Sequence, residues 1–477
     1  MIQITAEAAA SAHGRRMNAL NRTTAMQLRR LALLPKYDGR APRYTSYPTA
    51  VQFTPAVDAA QHAAWLGALP PDEAVSIYAH IPFCARLCWF CGCNTRVVSR
   101  QDPIHEYVRL LEREIGMVRE HLPARLTARE IHLGGGTPNM LSPDDLGALF
   151  GALREAFDVP ADAEIAAELD PLRLTPAWIE AATALGLNRA SLGVQDLSPD
   201  VQAAVNRHEP FALIRQAAQW LRAAGVSSLN LDLMYGLPRQ RTSDVLNTLD
   251  QVLTLSPDRI ALFGYAHVPW VKPHQKLIDE KALPGASERL DQSQAAFERL
   301  TAEGYVAIGL DHFARLTDSL AIAESAGAVR RNFQGYTTDP CPTLIGFGAS
   351  AIGHTAQGFV QNAAAELAWR QAIEAGRLAT VRGVAVSPED RFRGEIIEDL
   401  MCRQQTDLQR VCARHGRALA DLADELALLQ GFEADGVVVR NGPLLTITPM
   451  GAPFLRTVCA VFDVYLDRSQ LRHSVTV

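Results

Sequence analysis

The chain has 477 residues, of which 48% are hydrophobic and 21% are charged, and its formal net charge is −6 at pH 7. This composition is typical of a globular protein with two or three domains, or of one large α/β domain with an appendage. The negative charge argues against nucleic acid as the main partner, and no apolar run approaches the roughly 20 residues that a membrane-spanning helix needs.

The N-terminal segment 1–34 contains no long apolar core behind a basic tip, so it does not resemble a secretory signal. We expect residues 1–34 to form a flexible extension. Eight cysteines in a chain of this length are too few for a disulfide framework. A reducing, cytoplasmic environment is therefore expected.

The middle of the chain alternates short β-branched runs with amphipathic stretches. Residues 143–157 and 212–225, for example, place apolar side chains at helical spacing. This alternation predicts an α/β fold with parallel strands and right-handed crossovers, as in a complete or partial (β/α) barrel. A flat doubly wound sheet is the alternative. The predicted strands are 75–82, 130–136, 163–171, 189–196, 228–238, 259–267 and 306–313.

Polar side chains stand at the ends of several predicted strands. Both candidate architectures carry their ligand chemistry at the carboxyl ends of the strands. We therefore expect these side chains to surround a binding site: Glu168, Asp170, Gln195, Asp196, Asp232, His267, Asp311 and His312.

The segment YAHIPFCARLCWFCGCNT (78–95) holds four of the eight cysteines, at Cys84, Cys88, Cys91 and Cys93. Crowded thiolates in a reducing environment indicate a metal site. Structural zinc usually takes two knuckles separated by a longer loop. The spacing C-x3-C-x2-C instead offers three thiolates on one loop, which suits three corners of a [4Fe–4S] cluster. Zinc, and thiols that are merely reactive or packed, remain alternatives at this point.

The pattern changes after about residue 370. Residues 391–416 are predicted to be helical, and residues 437–448 are predicted to form a hairpin around Asn441-Gly442. Helices followed by a hairpin are similar to a winged-helix module. Because no basic recognition stripe accompanies them, we expect a lid or packing domain rather than a DNA-binding one.

The cysteine motif and the Gly-rich GGGTP (134–138) together resemble the radical SAM enzymes, in which S-adenosylmethionine (SAM) binds the open iron of a [4Fe–4S] cluster. Further segments are similar to the oxygen-independent coproporphyrinogen III oxidase family, and the resemblance runs from about residue 35 to the end. These segments are PRYTSYPTA (42–50), GVQD (193–196), NLDLMYGLP (230–238), YAHVP (265–269), DHFA (311–314) and RNFQGYTT (331–338).

The resemblance implies an arrangement of domains. A partial, TIM-like radical SAM barrel would occupy residues 75–370, behind an N-terminal flap over the active site at residues 35–74. A mainly helical C-terminal domain, including the winged-helix-like hairpin, would occupy residues 371–477.

The resemblance also implies roles for individual residues. Cys84, Cys88 and Cys91 would hold the cluster, and Met234 stands where isoleucine was expected, at similar volume. Tyr78, His80 and Cys93 would have catalytic roles, with His80 as a proton donor or as a hydrogen-bonding partner near the cluster. The positions implied for the cluster-bound SAM are Tyr78, Gly135, Thr137, Glu168, Gln195, Arg207 and Asp232. Those implied around a second SAM are Phe90, Gly136, Met234, Ala266, Gln334 and Ile352.

The implied reaction is the anaerobic oxidative decarboxylation of two propionates of coproporphyrinogen III to vinyl groups, by a SAM-derived 5′-deoxyadenosyl radical, in heme biosynthesis. A reductant such as flavodoxin or ferredoxin is expected as partner, with neither nucleic acid nor membrane, and we expect a monomer. Arg43, Arg330 and Arg331 are candidates for binding the substrate carboxylates. The alternatives are a heme-binding chaperone of the same fold and another radical SAM enzyme that modifies porphyrins.

Overall fold

The structure is a computed structural model that describes residues 25–39 and 41–466. Residues 25–37 form helix α1, so the predicted flexible extension is wrong for its last ten residues, while residues 1–24 lie outside the described part. Leu34 and Tyr37 are buried in a hydrophobic cluster with C-terminal side chains such as Phe454. The Tyr37 hydroxyl also donates a hydrogen bond to Asp435 Oδ2 at 2.5 Å. The helix is therefore held by contacts about 400 residues away along the chain.

The elements that follow build the barrel domain. The first group is α2 (Ala59–Gly67), β1 (Ala74–Ile81), β2 (Phe83–Cys84), β3 (Arg96–Val97), α3 (Asp102–His121), β4 (Thr127–Gly135), α4 (Pro143–Ala156), β5 (Glu164–Leu169), α5 (Pro176–Ala184), β6 (Arg189–Gln195), α6 (Pro199–Ala204), α7 (Phe211–Ala223), β7 (Ser228–Tyr235), α8 (Thr242–Leu253) and β8 (Arg259–Gly264). The second group is α9 (Ala286–Ala302), β9 (Tyr305–Ile308), β10 (His312–Arg315), α10 (Ser319–Ser325), β11 (Arg330–Asn332), β12 (Gly335–Thr337), β13 (Thr343–Phe347), β14 (Ile352–Thr355), β15 (Gly358–Asn362), α11 (Glu366–Glu374) and β16 (Thr380–Ala385).

Six parallel strands form the centre of one sheet in the order β1-β4-β5-β6-β7-β8. They correspond to the first six predicted strands. A cavity of about 280 Å³ is lined by side chains from all six, from Ser76 on β1 to Phe263 on β8, and also by His312 on β10. Strands at both ends of a row can share one cavity only if the sheet curls around it. The α/β prediction and its partial-barrel form are confirmed.

The seventh predicted strand, 306–313, is wrong. The chain instead forms the β9–β10 hairpin, which turns at Gly309, and β10 runs antiparallel to β8. No helix separates the two halves of this run, so a parallel crossover is sterically impossible. At the opposite edge β13 pairs in parallel with β1, and β14–β16 add antiparallel strands as far as Ala385. The sheet thus continues past the predicted boundary at residue 370.

The C-terminal part is mainly helical and carries the predicted hairpin. Its strands pair in the order β17-β19-β18, with the turn at Asn441-Gly442, and its resemblance to a winged-helix module stays a prediction. Within residues 25–39 and 41–466, no helix combines the length and apolarity needed to cross a bilayer. The elements are α12 (Pro388–Arg403), β17 (Gln405–Asp407), α13 (Leu408–Arg414), α14 (Ala423–Ala434), β18 (Val438–Asn441), β19 (Leu444–Ile447) and α15 (Leu455–Cys459).

Candidate active site

The glycines after β4 let the cysteine loop pack directly against the end of that strand. A Cβ on Gly135 would lie 2.5 Å from the His80 ring, and Gly135 has a φ of +108°, which only glycine adopts readily. A Cβ on Gly136 would lie 2.6 Å from the Phe83 carbonyl oxygen. Any side chain at either position would push the cysteine loop away from the strand. The glycines are therefore required by close packing as well as by the turn.

Each of the three predicted ligand sulfurs accepts a hydrogen bond from a neighbouring group. Such donors tune the electronic properties of a bound cluster. The bonds run from Thr137 Oγ1 to Cys84 Sγ at 3.6 Å, from Arg207 Nη1 to Cys88 Sγ at 3.5 Å, and from the Cys93 backbone N to Cys91 Sγ at 3.4 Å.

The backbone of the cysteine loop is fixed by side chains from two distant segments. These contacts hold the loop carbonyls, so they position the ligands without occupying the sulfurs. Sequence reasoning missed both segments, although the polar run KPHQK (272–276) follows the quoted motif YAHVP closely. The bonds are Asn206 Nδ2 to Leu87 O (2.9 Å), Gln275 Nε2 to Phe90 O (2.9 Å), His274 Nε2 to Cys91 O (2.7 Å) and Lys272 Nζ to Cys93 O (3.0 Å).

Three cysteine thiols close together in the sequence fit three corners of a [4Fe–4S] cluster. In the part of the chain that the structure describes, no three His, Cys, Asp or Glu side chains lie close enough to share a single metal ion. A cube-shaped cluster takes one thiolate at each of three different irons, so its ligands stand further apart than the ligands of one ion do. Cys84, Cys88 and Cys91 share one loop, while the fourth cysteine, Cys93, is exposed.

Glu168, at the end of β5, is held as a carboxylate beside the glycine turn. It accepts hydrogen bonds from the Gly135 backbone N at 3.1 Å and from His132 Nε2 at 3.2 Å. Burial opposes its ionisation, but the bonds with His132 and Gly135 outweigh burial, so the pKa of Glu168 lies below its ordinary value. The Tyr78 ring lies beside the Glu168 carboxylate, since both side chains come within about 3 Å of the position that a Cβ on Gly134 would take. A negative charge here suits the amino group of a bound SAM.

Asp232, on β7, presents a second carboxylate to the same cavity. It accepts hydrogen bonds from Ser191 Oγ at 2.7 Å and from Asn230 Nδ2 at 2.8 Å. Burial, together with the charge of Glu168, raises the pKa of Asp232 to about 6. Asn230 precedes Asp232 by two residues. Since side chains two residues apart on a strand point to the same face, the sequence alone predicts that Asn230 lies beside Asp232. No comparable signal pointed to Ser191, which lies opposite Asn230 on the neighbouring strand.

Arg207 and Gln195 flank the end of β6. A Cβ on Gly193 would lie 3.1 Å from both Arg207 Nη2 and Gln195 Nε2, so the two side chains meet above this glycine. Arg207 donates to the Gly193 carbonyl at 2.6 Å, to Glu209 Oε2 at 3.2 Å and to the Cys88 sulfur. Arg207 Nη2 also lies 3.1 Å from Glu209 Oε2, so of the five guanidinium N–H groups one on Nη1 is available to a carboxylate.

His80 is locked in one neutral tautomer. Its Nε2 donates to the Asn94 carbonyl at 2.9 Å, so its Nδ1 accepts from the Tyr78 hydroxyl at 3.0 Å. Burial lowers the pKa of His80, although the bond to Asn94 opposes the effect. With both ring nitrogens engaged, the arrangement favours a role in holding Tyr78 and the cysteine loop. The proton-donor role of His80 stays a prediction.

Three of the six residues predicted around a second SAM lie together. Phe90 and Met234 pack against one apolar cluster that contains Tyr265. Gln275 Nε2 bridges the carbonyls of Phe90 and Ala266 at 2.9 and 3.3 Å.

The other three predicted residues stand apart from that group. Gly136 packs under the cysteine loop, and Gln334 lines the barrel cavity with Asp232. Ile352 lies on β14, where its backbone contacts Gly346, the register partner of Tyr78. The structure therefore gathers the predicted residues of the first SAM site more tightly than those of the second.

The residues expected to bind substrate carboxylates divide between two cavities, with Arg331 lining both of them and Arg330 only the one that Tyr44 and Tyr47 also line. Arg43 and Arg331 line one cavity between the barrel and the C-terminal domain. Arg330 is exposed and does not line that cavity.

Comparison with known proteins finds similar proteins over nearly the whole length of the chain. Residues 78–252 match the model of the radical SAM superfamily, and residues 386–454 match the model of the HemN C-terminal domain. An oxygen-independent coproporphyrinogen III oxidase from Bradyrhizobium diazoefficiens is 46% identical, with 92% of this chain and 97% of the relative covered. The relative of that name from Salmonella typhimurium is 39% identical over 91% of this chain and 95% of its own.

A solved structure extends the likeness to three dimensions. Coproporphyrinogen III oxidase from Escherichia coli, described as a radical SAM enzyme, superposes with a TM-score of 0.86 at 37% identity. The superposition covers 91% of this chain and 99% of that one. The chain therefore belongs to the oxygen-independent coproporphyrinogen III oxidase family of radical SAM enzymes.

Proposed function

We propose that the chain converts coproporphyrinogen III to protoporphyrinogen IX without oxygen, by oxidative decarboxylation of two propionate side chains to vinyl groups. The observation that carries the proposal is a loop with three hydrogen-bonded cysteine sulfurs next to a barrel cavity that Glu168 and Asp232 both line. The relatives that match over nine-tenths of the chain carry this activity in their names.

As a radical SAM enzyme the chain uses a [4Fe–4S] cluster and SAM. Cys84, Cys88 and Cys91 would hold the cluster. When bound, these groups supply the 5′-deoxyadenosyl radical, which removes one hydrogen atom from the carbon β to the propionate carboxylate. The substrate then releases CO2 and passes one electron to an acceptor, which leaves the vinyl group. The same sequence of steps occurs once for each of the two propionates.

The side chains around the cysteine loop would bind and orient SAM. Glu168 would accept from its amino group, Asp232 from its ribose hydroxyls, and Arg207 would offer an Nη1 N–H group to its carboxylate. These contacts would fix the reactive carbon of SAM relative to the substrate, which is the main way an enzyme lowers the entropic part of a barrier.

The segment predicted as a flap would help to exclude water. Tyr44 is buried and its hydroxyl donates to Asp463 Oδ2 at 3.1 Å, while the Tyr47 hydroxyl accepts from the Val464 backbone N at 3.1 Å. Arg43 donates to the Gly264 carbonyl at the carboxyl end of β8. The segment is thus tied to the C-terminal residues on one side and to the strand ends on the other, as a cover over a radical site requires.

A reductant must deliver the electron that cleaves SAM, and we propose a small acidic electron-transfer protein such as flavodoxin or ferredoxin. Lys272 holds a carbonyl of the cysteine loop, and Lys276 is exposed nearby. Trp270, Val271 and Leu277 are 49%, 60% and 58% exposed on the same segment. Apolar side chains ringed by lysines suit an acidic partner.

Two further proposals concern the oligomeric state and the cellular location of the enzyme. We propose that the enzyme acts as a monomer, because one chain supplies every element of the site. We propose a cytoplasmic location, because all eight cysteines are unpaired in the structure.

Anaerobic reconstitution tests the proposed function directly. The purified chain, with iron, sulfide, SAM and a reductant, should convert coproporphyrinogen III to a product lighter by two CO2 and four hydrogen atoms. A variant with serines at the three ligand cysteines is the control. Tight heme binding without substrate-dependent SAM cleavage would instead identify a chaperone, and added methyl groups or ring opening would identify another radical SAM reaction.

A further inference from the structure

A second cavity, of about 480 Å³, lies between α1, the end of the barrel sheet and the C-terminal domain. It is separate from the cavity inside the barrel, but the two share His312 as a lining residue. Part of its wall is apolar, formed by side chains such as Leu262, Phe297 and Ile447. The rest is strongly cationic, with six arginines against two acids: Arg30, Arg43, Arg289, Arg331, Arg403 and Arg456 against Asp311 and Glu324.

Four of these arginines are close enough to repel one another. Burial lowers the pKa of Arg43, and the charges of Arg331 and Arg289 act in the same direction, while Asp311 and Tyr235 oppose the effect. Burial likewise lowers the pKa of Arg456 to about 10, and the charge of Arg43 adds to the effect. Like charges gathered in a protein interior are costly unless an anion joins them.

Backbone carbonyls orient several members of this arginine group. Arg43 Nη2 donates to Gly264 O at 2.7 Å, and Arg289 Nη1 donates to Tyr265 O at 2.9 Å. Arg456 Nε donates to the Pro42 carbonyl at 3.0 Å. These acceptors are neutral peptide groups, which orient the guanidinium groups without neutralising them.

Arg331 gives the most direct sign of an absent partner. Its Nε and Nη1 are buried and have no hydrogen-bond partner, while its guanidinium stacks on the Tyr336 ring at 4.3 Å. Buried polar groups in native proteins are nearly always satisfied, and an unsatisfied charged donor is especially costly. Arg331 is therefore oriented by the ring and ready to receive an acceptor from outside the chain.

The location of the group connects it with the radical chemistry. Arg43 and Arg289 bind the carbonyls of Gly264 and Tyr265, at the carboxyl end of β8, directly before Ala266. A molecule held by these arginines would extend along the strand ends towards the SAM site. The apolar wall would take the hydrocarbon part of a ligand whose charges lie on the arginines.

We propose that Arg43, Arg289, Arg331 and Arg456 form the receptor for the two propionates that the substrate keeps, an assignment that rests on the proposed function. The reacting propionates must leave as neutral CO2, and a cationic cage would stabilise the starting carboxylate and so oppose its loss. The retained propionates have no such conflict. They are anchors, and their binding free energy fixes the reacting carbons at the other edge of the ring.

The test compares two fluorescent porphyrins that differ only in the reacting positions. Coproporphyrin III carries four propionates, whereas protoporphyrin IX carries only the two retained ones. An Arg331→Gln variant should bind both porphyrins roughly 10- to 150-fold more weakly, the loss expected for one charge-assisted hydrogen bond. Arg331→Lys, which keeps the charge without the planar fork, should recover part of the loss.

Two measurements separate loss of the receptor from loss of the fold. Without porphyrin, Arg331→Gln should unfold at the same temperature as the parent chain or at a higher one, because it removes a buried charge whose donors are unsatisfied. Arg377→Gln, an exposed arginine outside the cavity, makes the same change of charge and should bind both porphyrins normally.

Each other result of the porphyrin-binding experiment leads to a different conclusion. If Arg331→Gln weakens coproporphyrin III alone, the arginines hold the reacting propionates and the assignment is overturned. If the variant binds both porphyrins like the parent, the cavity is not the carboxylate receptor, and the proposed function stands unaffected. If the parent chain binds neither porphyrin, the proposed function itself fails, and the receptor with it.

Discussion

Replacing Asp232 by asparagine should stabilise the protein that lacks cluster and SAM while impairing the binding of SAM. Asp232 is largely buried, and its two bonded neighbours, Ser191 and Asn230, are neutral. The charge of His312 offsets its own in part, but burial and the nearby charge of Glu168 make ionisation harder. An amide can keep both hydrogen bonds, because a hydroxyl oxygen also accepts.

The size of the effect follows from the pKa. Burial and the charge of Glu168 raise the pKa of Asp232 from 3.8 to about 6, and each pKa unit corresponds to about 1.4 kcal/mol. Ionised Asp232 therefore costs the folded state about 3 kcal/mol at neutral pH. Because the folded pKa is the higher one, the cost is absent below pH 4, grows between pH 4 and 6, and is complete above pH 6. The gain from Asp232→Asn should follow the same course.

The assay is thermal or urea unfolding of the cluster-free protein at several pH values, together with SAM binding to the reconstituted protein. Asp232→Asn should unfold later than the parent at pH 7.5, and the difference should vanish near pH 4. SAM should bind at least about tenfold more weakly, since a charged acceptor for the ribose is lost. Asp72→Asn, in an exposed loop, should change neither property. A variant that is less stable at pH 7.5, or equally altered at every pH, would refute the reasoning.

Three further outcomes are expected. Cys84→Ser should lose the absorbance of the reconstituted cluster, whereas Cys341→Ser, outside the cysteine loop, should keep it. Gly135→Ala should abolish substrate-independent SAM cleavage because its Cβ collides with a buried ring, whereas Gly225→Ala, also at positive φ but in open space, should cost only about 1 kcal/mol of stability. Lys276→Glu should raise the KM for an acidic protein reductant and leave turnover with dithionite unchanged.

The sequence predicted the features that a regular pattern of residue types specifies. Six β-branched runs separated by helical stretches identified six parallel strands, because few other folds tolerate that alternation. The polar residues that end those strands were expected to converge, and Glu168 and Asp232 do line one cavity. The sequence singled out the glycines at 134–136 as part of a family motif, and only the structure shows that Gly135 lies against the His80 ring.

Features that depend on contacts between separate segments of the chain could not be predicted from the sequence. The run 306–313 has the composition of one strand, and only its pairing with β8 shows that it is a hairpin. The anchors of the cysteine loop, such as His274 and Gln275, are ordinary polar residues until the fold brings them to the loop carbonyls. The arginine group is similar, since Arg43 and Arg456 come from opposite ends of the chain.

The contact of α1 with the C-terminal domain also sets an order of events during synthesis. The ribosome delivers the N-terminal end first, yet Tyr37 finds its partners, Asp435 and Thr457, only when almost the whole polypeptide has emerged. Until then Tyr44 and Tyr47 also lack their partners at Asp463 and Val464, although Arg43 can already bind Gly264. The cover segment can therefore reach its final position only after the C-terminal residues have been made.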